Sequence, residues 1–113
     1  MKLTKFSLDP GVGACPAILI VCPPPIVEAT VSGFPDFADG GIERSLLLPG
    51  EFRRVVREKK RCLKSEQVDL SLLIAGEIDG VASSPIDGIH LTADAHKNLG
   101  LAIAGEARRI LGI

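Results

Sequence analysis

The chain has 113 residues, 46% hydrophobic and 24% charged, enough for one compact domain and too few for a repeat array or a multidomain assembly. Thirteen Lys and Arg against fourteen Asp and Glu leave a net charge of −1, which argues against nucleic acid or an anionic membrane as the principal partner. The longest uninterrupted apolar run, Ala17 to Cys22, has six residues, where a membrane-spanning helix needs about 20.

Lys2 and Lys5 open the chain, but Asp9 and Pro10 follow before any apolar stretch, so no signal-peptide core forms there. Leu19-Ile20-Val21-Cys22 is a poor lipoprotein cleavage site, because Val21 stands where a small residue is needed. Cys15, Cys22 and Cys62 form an odd set without C-x-x-C spacing or a nearby histidine pair. That pattern supports neither a disulfide framework nor a zinc site, and reduced thiols in a cytoplasmic protein are expected.

In chain order, the first element is Ala17-Ile18-Leu19-Ile20-Val21-Cys22, apolar throughout and bracketed by Pro16 and by Pro23 to Pro25. Such a run predicts a strand buried on both faces, in a parallel sheet covered by helices on each side. The triple proline cannot donate ladder hydrogen bonds, so the chain leaves the sheet there. A polyproline ligand for an aromatic groove is the weaker explanation. From Ile26 to Gly50, turn chemistry at Ser32-Gly33, Pro35-Asp36, Asp39-Gly40-Gly41 and Pro49-Gly50 predicts a long surface excursion with at most one short helix. Gly11-Val12-Gly13 precedes the strand, where a dinucleotide fingerprint would follow it.

Phe52, Val55 and Val56 recur at helical spacing, and Cys62 and Leu63 prolong the stripe, predicting a helix from Glu51 to about Lys64. Residues 51–66 hold seven Lys and Arg against three acids, a local charge of +4. Without interleaved aromatics this reads as a solvated helix face and not a nucleic-acid patch. Val68 to Ala75 predicts a second, short strand, and Gly76 to Ser84 a loop. Thr92 is placed to cap a last helix reaching about Leu111, with Asp94 in its first turn. Leu99, Ile103, Ala107 and Ile110 form its apolar stripe, and Lys97, Asn98, Glu106, Arg108 and Arg109 its wet side. The order is that of an α/β layout.

The chemistry-bearing cluster is Asp87-Gly88-Ile89-His90, just ahead of the Thr92 cap. A histidine moves protons near neutral pH, and a neighbouring carboxylate can fix its tautomer and stabilise the imidazolium. The bland reading of the same residues is a turn-forming Asp87 and a hydrogen-bonding His90. His96 reads as an ordinary helix residue. Cys22, at the C-terminal end of a strand where α/β folds place ligands, reads as an inert buried thiol and not as a partner of His90.

Two segments together carry a resemblance: C-P-A-I-L-I-V-C-P-P-P from Cys15 to Pro25, and D-G-I-H-L-T-A-D-A-H-K-N-L-G-L-A-I-A from Asp87 to Ala104. They resemble the C-terminal half of an SGNH hydrolase, the GDSL-type esterase and lipase family, and within it the arylesterase-like branch. The likeness runs from about Pro16 to Ile113. It implies a flavodoxin-like three-layer α/β/α fold with parallel strands, of which residues 1–113 would be a single α/β segment without the N-terminal strands. It also implies ester hydrolysis through an acyl-enzyme, a small acyl or aryl ester as substrate, and no metal or cofactor. Under it, the closing D-x-x-H motif makes His90 the general base and Asp87 its orienting carboxylate.

The family's G-D-S segment with the nucleophilic serine, and its later glycine and G-x-N-D segment for the oxyanion hole, have no counterpart here. Ser7, Ser32, Ser45, Ser65, Ser71, Ser83 and Ser84 all lack that context, and no G-x-S-x-G elbow is present. The expectation is a truncated hydrolase, inactive alone, whose nucleophile lies outside the chain. With neighbouring strands missing, the edge of Ala17 to Cys22 would stand open, and self-association or pairing with another chain would cover it. The alternative is a non-catalytic α/β module that uses this edge for association, with Phe34 and Phe37 of the long loop contributing.

Overall fold

The computed structural model describes residues 16–29 and 40–113. Strand β1 (Ala17–Cys22) pairs in parallel with β2 (Asp69–Ile74), in a register running from Ala17 opposite Asp69 to Cys22 opposite Ile74. Both strands have the predicted limits to within a residue, and β1 is cut to length by its flanking prolines. Helix α1 (Gly41–Cys62) connects them and lies against both, chiefly β2, while α2 (Ala93–Leu111) follows β2 and touches β1. The architecture is therefore mixed α/β, a parallel strand pair with flanking helices, as the sequence predicts.

The core consists of Cys22, Val56, Leu70, Ile74, Ala75, Val81 and Ala95. Burial along β1 rises toward its C-terminal end: Ala17 and Ile18 are exposed, the next three residues are half-buried, and Cys22 is fully enclosed. This corrects the expectation of a strand covered on both faces. Among the described residues β1 has one strand neighbour, so only its C-terminal end is enclosed.

A second correction concerns α1, which begins at Gly41 instead of Glu51 and ends at Cys62, followed by a 3-10 turn at Lys64–Glu66. It passes through Pro49, a residue that removes a helical hydrogen bond and reads locally as a breaker. Tertiary anchoring overrides that preference. Ser45, buried in the first turns, donates to Ile42 O at 2.7 Å and accepts from the backbone N of Ile26 at 2.9 Å. The N-terminal half of α1 is thereby fixed to the segment that leaves β1. The supposed loop thus holds nearly three extra helical turns, residues 41–50, ahead of the expected start, while Phe34 and Phe37 lie outside the described residues.

On the basic face of α1, Arg54 meets Glu51 at 2.9 Å and Glu58 at 3.2 Å, and Arg53 pairs with Glu77. Exposed pairs of this kind are screened by water and add little to stability, which suits a solvated face. In α2, Leu99, Ile103, Ala107 and Ile110 are half-buried and Ala95 alone is buried. Asn98 and Glu106, expected in water, are half-buried; Asn98 donates its side-chain amide to Gly80 O at 3.1 Å. Among the described residues no helix is long and apolar enough to cross a membrane.

Candidate active site

The chain leaves β2 through a 3-10 turn (Ala75–Glu77) and enters the loop that carries Asp87 and His90. An isolated antiparallel bridge between Ser83 and Leu91 closes the loop at its base. Inside it, Ser84 N donates to His90 O and Gly88 N to Ser84 O, both at 2.7 Å. The Ser84 hydroxyl accepts from Ile86 N at 3.1 Å. The loop is then fastened to the stretch following β1: Val27 N donates to Gly88 O at 3.0 Å, and the buried Ser83 hydroxyl to Pro25 O at 2.8 Å. Thr92 ends the loop as predicted, its Oγ1 accepting from Ala95 N at 3.1 Å to cap α2.

Gly88 explains how the loop approaches so closely. Its φ of +80° lies in the left-handed region, and a Cβ there would stand 2.2 Å from Val27 O. Only glycine meets both conditions without strain. The Asp-Gly dipeptide is the sequence signal for such a turn; the contact with Val27 is tertiary and has none.

Asp87 and His90 come together as the motif predicts. Asp87 Oδ1 accepts from the backbone N of Ile89 and of His90, each at 2.9 Å. The carboxylate is thereby oriented so that Oδ2 meets His90 Nδ1 in a hydrogen bond. These donors hold the Asp87 carboxyl well below the usual carboxylate range, at about 2; the Ile89 amide contributes most, followed by the His90 ring. An ionised carboxylate only accepts hydrogen bonds, so Nδ1 carries the ring proton and the neutral imidazole has its lone pair on Nε2. Asp87 is 27% exposed and His90 72% exposed, so the imidazole stands at the surface on a carboxylate seated in the loop.

The remaining candidates separate from this pair. Cys22 is fully buried, and desolvation pushes its thiol up against the opposing influence of Arg53; a buried, protonated thiol is a poor nucleophile. Its Sγ is directed at Pro23 O, 3.6 Å away. His96 is exposed in the first turns of α2. Ser45, Ser83 and Ser84 direct their hydroxyls into backbone contacts that hold the fold, a structural use that the sequence did not reveal. Ser7, Ser32, Cys15 and Gly11-Val12-Gly13 lie outside the described residues.

Two solved structures are similar to this chain. A carbohydrate acetylesterase family member from Sinorhizobium meliloti matches with a TM-score of 0.70 and 31% identity, over 87% of this chain and 41% of its own. A protein provisionally designated an arylesterase, from Agrobacterium tumefaciens str. C58, matches with a TM-score of 0.64 and 32% identity, over 84% of this chain and 39% of its own. This chain therefore spans less than half the length of either. No protein-family model and no curated protein matches it.

Proposed function

We propose that this chain carries the acid–base pair of a serine ester hydrolase of the SGNH type, with His90 as general base and Asp87 as its orienting carboxylate. The observation that carries the reading is the Asp87 Oδ2 to His90 Nδ1 hydrogen bond, with Oδ1 held by two backbone amides of the same loop. The likeness to two esterase structures at 31% and 32% identity supports it. The substrate class is a small acyl or aryl ester.

In that role, Nε2 of His90 removes the hydroxyl proton of a nucleophilic serine as its oxygen bonds to the ester carbonyl carbon. Asp87 stabilises the resulting imidazolium and holds the ring in orientation. The imidazolium then protonates the leaving alkoxide oxygen as the carbon–oxygen bond breaks. Water, deprotonated by the same nitrogen, releases the acid from the acyl-enzyme and restores the serine. The chain has no Gly-Asp-Ser segment and no G-x-N-D segment, so serine and oxyanion donors are supplied by polypeptide outside it. Oxyanion donors contribute about 3–4 kcal/mol each to the transition state, and the chain alone is expected to be inactive.

Two measurements test the reading. Intact-mass analysis after fluorophosphonate treatment should find no adduct on the parent or on His90→Ala; an adduct on the parent that is lost in the variant would place an activated serine within the chain and overturn the external nucleophile. Nitrogen NMR should find the neutral His90 ring protonated on Nδ1, with Asp87→Asn eroding that preference. An Nε2-protonated ring in the parent would remove Asp87 from its orienting role. The second reading, a non-catalytic association module, rests on the edge of β1 that no strand occupies among the described residues.

A further inference from the structure

The peptide unit between Gly88 and Ile89 is bonded on both of its sides. Its carbonyl, Gly88 O, accepts from Val27 N at 3.0 Å. Its N–H, that of Ile89, donates to Asp87 Oδ1 at 2.9 Å. The peptide is trans, so its carbonyl and its N–H point in opposite directions within one plane. A donor on one side and a carboxylate on the other therefore fix that plane between them, and chained bonds of this kind polarise one another. The Ile89 amide is also the donor that contributes most to keeping the Asp87 carboxyl low, ahead of the His90 ring.

Gly88 itself does little to hold the plane. A glycine at φ +80° keeps wide backbone freedom, and rotation about its Cα–C bond would swing the Ile89 N–H off Oδ1. On its N-terminal side, Gly88 N is held within the loop by Ser84 O at 2.7 Å. On its C-terminal side the hold comes from outside the loop, from the stretch following β1. That stretch is stiff, since Pro23, Pro24 and Pro25 lead into it. It is also anchored: Ser83 donates to Pro25 O at 2.8 Å, and the Ser45 hydroxyl accepts from Ile26 N at 2.9 Å. The Val27 N–H is thus presented to the loop at a set position.

We infer that the backbone amide of Val27 is a positioning group for the acid–base pair: by holding Gly88 O it aims the Ile89 N–H at Asp87 Oδ1, and so sets Oδ2 toward His90 Nδ1. That role rests on Asp87 and His90 acting as proposed, and it names the group on the β1 side on which their geometry depends. Val27 acts through Gly88 and Ile89. Because a main-chain N–H does the holding, the side chain at position 27 carries no sequence signal of it, and proline is the residue that would abolish it. The end of β1 and the imidazole of His90 are thereby placed as one unit.

Nitrogen NMR of the His90 ring and carbonyl-carbon titration of Asp87 read the pair directly, without substrate. In a full chain synthesised with an ester oxygen in place of the Val27 N–H, the Nε2-protonated ring should grow in. The Asp87 midpoint should rise from about 2 toward about 3.9. Ser45→Ala removes the acceptor of the neighbouring Ile26 N–H; it should lower the unfolding temperature and leave both readouts as in the parent. If the ester chain does not fold, Asp87→Asn in the otherwise intact chain gives the converse measurement. The Val27 amide proton should then shift upfield, as its bond to Gly88 O weakens, while the Ile26 amide proton stays in place. A folded ester chain with the parent's ring protonation and Asp87 midpoint, a Ser45→Ala chain that moves both, or a Val27 amide that ignores Asp87→Asn would each overturn the positioning role. A parent ring protonated on Nε2 would instead overturn the roles of Asp87 and His90 themselves.

Discussion

The Ser83–Thr92 loop and strand β1 meet through Pro25 and Val27, yet they hold their shapes by opposite means. The loop is polar and partly exposed, but its backbone is tied at Ser83, Ser84, Gly88 and Leu91, and its carboxylate receives two amides. The strand is apolar at every position, but its first two residues are exposed and one edge is open among the described residues. Local hydrogen-bond geometry can thus fix a side-chain pair without a deep core beneath it. An apolar strand depends on neighbours, and its order is set by what lies beside it.

The most severe way to break the loop is Gly88→Ala. The new Cβ would meet Val27 O at 2.2 Å in a left-handed backbone, and a loss of about 2–4 kcal/mol is expected in urea unfolding. The strand should feel this change too, since Val27 N also bonds Gly88 O. A milder change removes one of the two bonds that fasten the loop to the stretch following β1. Ser83→Ala leaves Pro25 O without the buried hydroxyl that donates to it, and thermal unfolding should report about 1–2 kcal/mol. Thr92→Ala touches only the cap that follows the loop. It should lower stability by about 1 kcal/mol and fray the first turn of α2, visible as faster amide exchange at Ala95.

The smallest effect sharpens the comparison through pH. Asp87 has its carboxyl lowered to about 2 in the fold, against about 3.9 in an unfolded chain. Its contribution is therefore fully present above about pH 4 and lost as pH falls through about 2. Carbonyl-carbon NMR shifts of Asp87 and the amide shifts of Ile89 and His90 should move together across that window. Those of Ile20 and Val21 should stay fixed, because they carry no carboxylate and stand opposite Leu72 and Leu73 in the ladder. A midpoint near 4 would mean that the two amides do not hold Oδ1.

Much of the α/β layout was legible in the residues. Pro16 and Pro23 delimit β1, the alternation after Val68 marks β2, and Thr92 with Asp94 starts α2, all through local chemistry that acts within a few residues. The spacing of Asp87 and His90 likewise sufficed, because a three-residue turn with Gly88 inside brings the two side chains within reach. The first half of α1 was not legible: Pro49-Gly50 and Asp39-Gly40-Gly41 read as turns, and the bond that outweighs them comes from Ile26, nineteen residues before Ser45 in sequence.

The sequence alone therefore determined what local stereochemistry and periodicity can dictate: where strands begin and end, where the last helix is capped, and which carboxylate can meet which imidazole. Only the tertiary structure decided the rest. It set the start of α1, the structural use of Ser45, Ser83 and Ser84, the need for glycine at position 88 and the uneven burial of β1. Each of these depends on contacts between segments far apart in the chain, where packing and long-range hydrogen bonds outweigh the preferences of single residues.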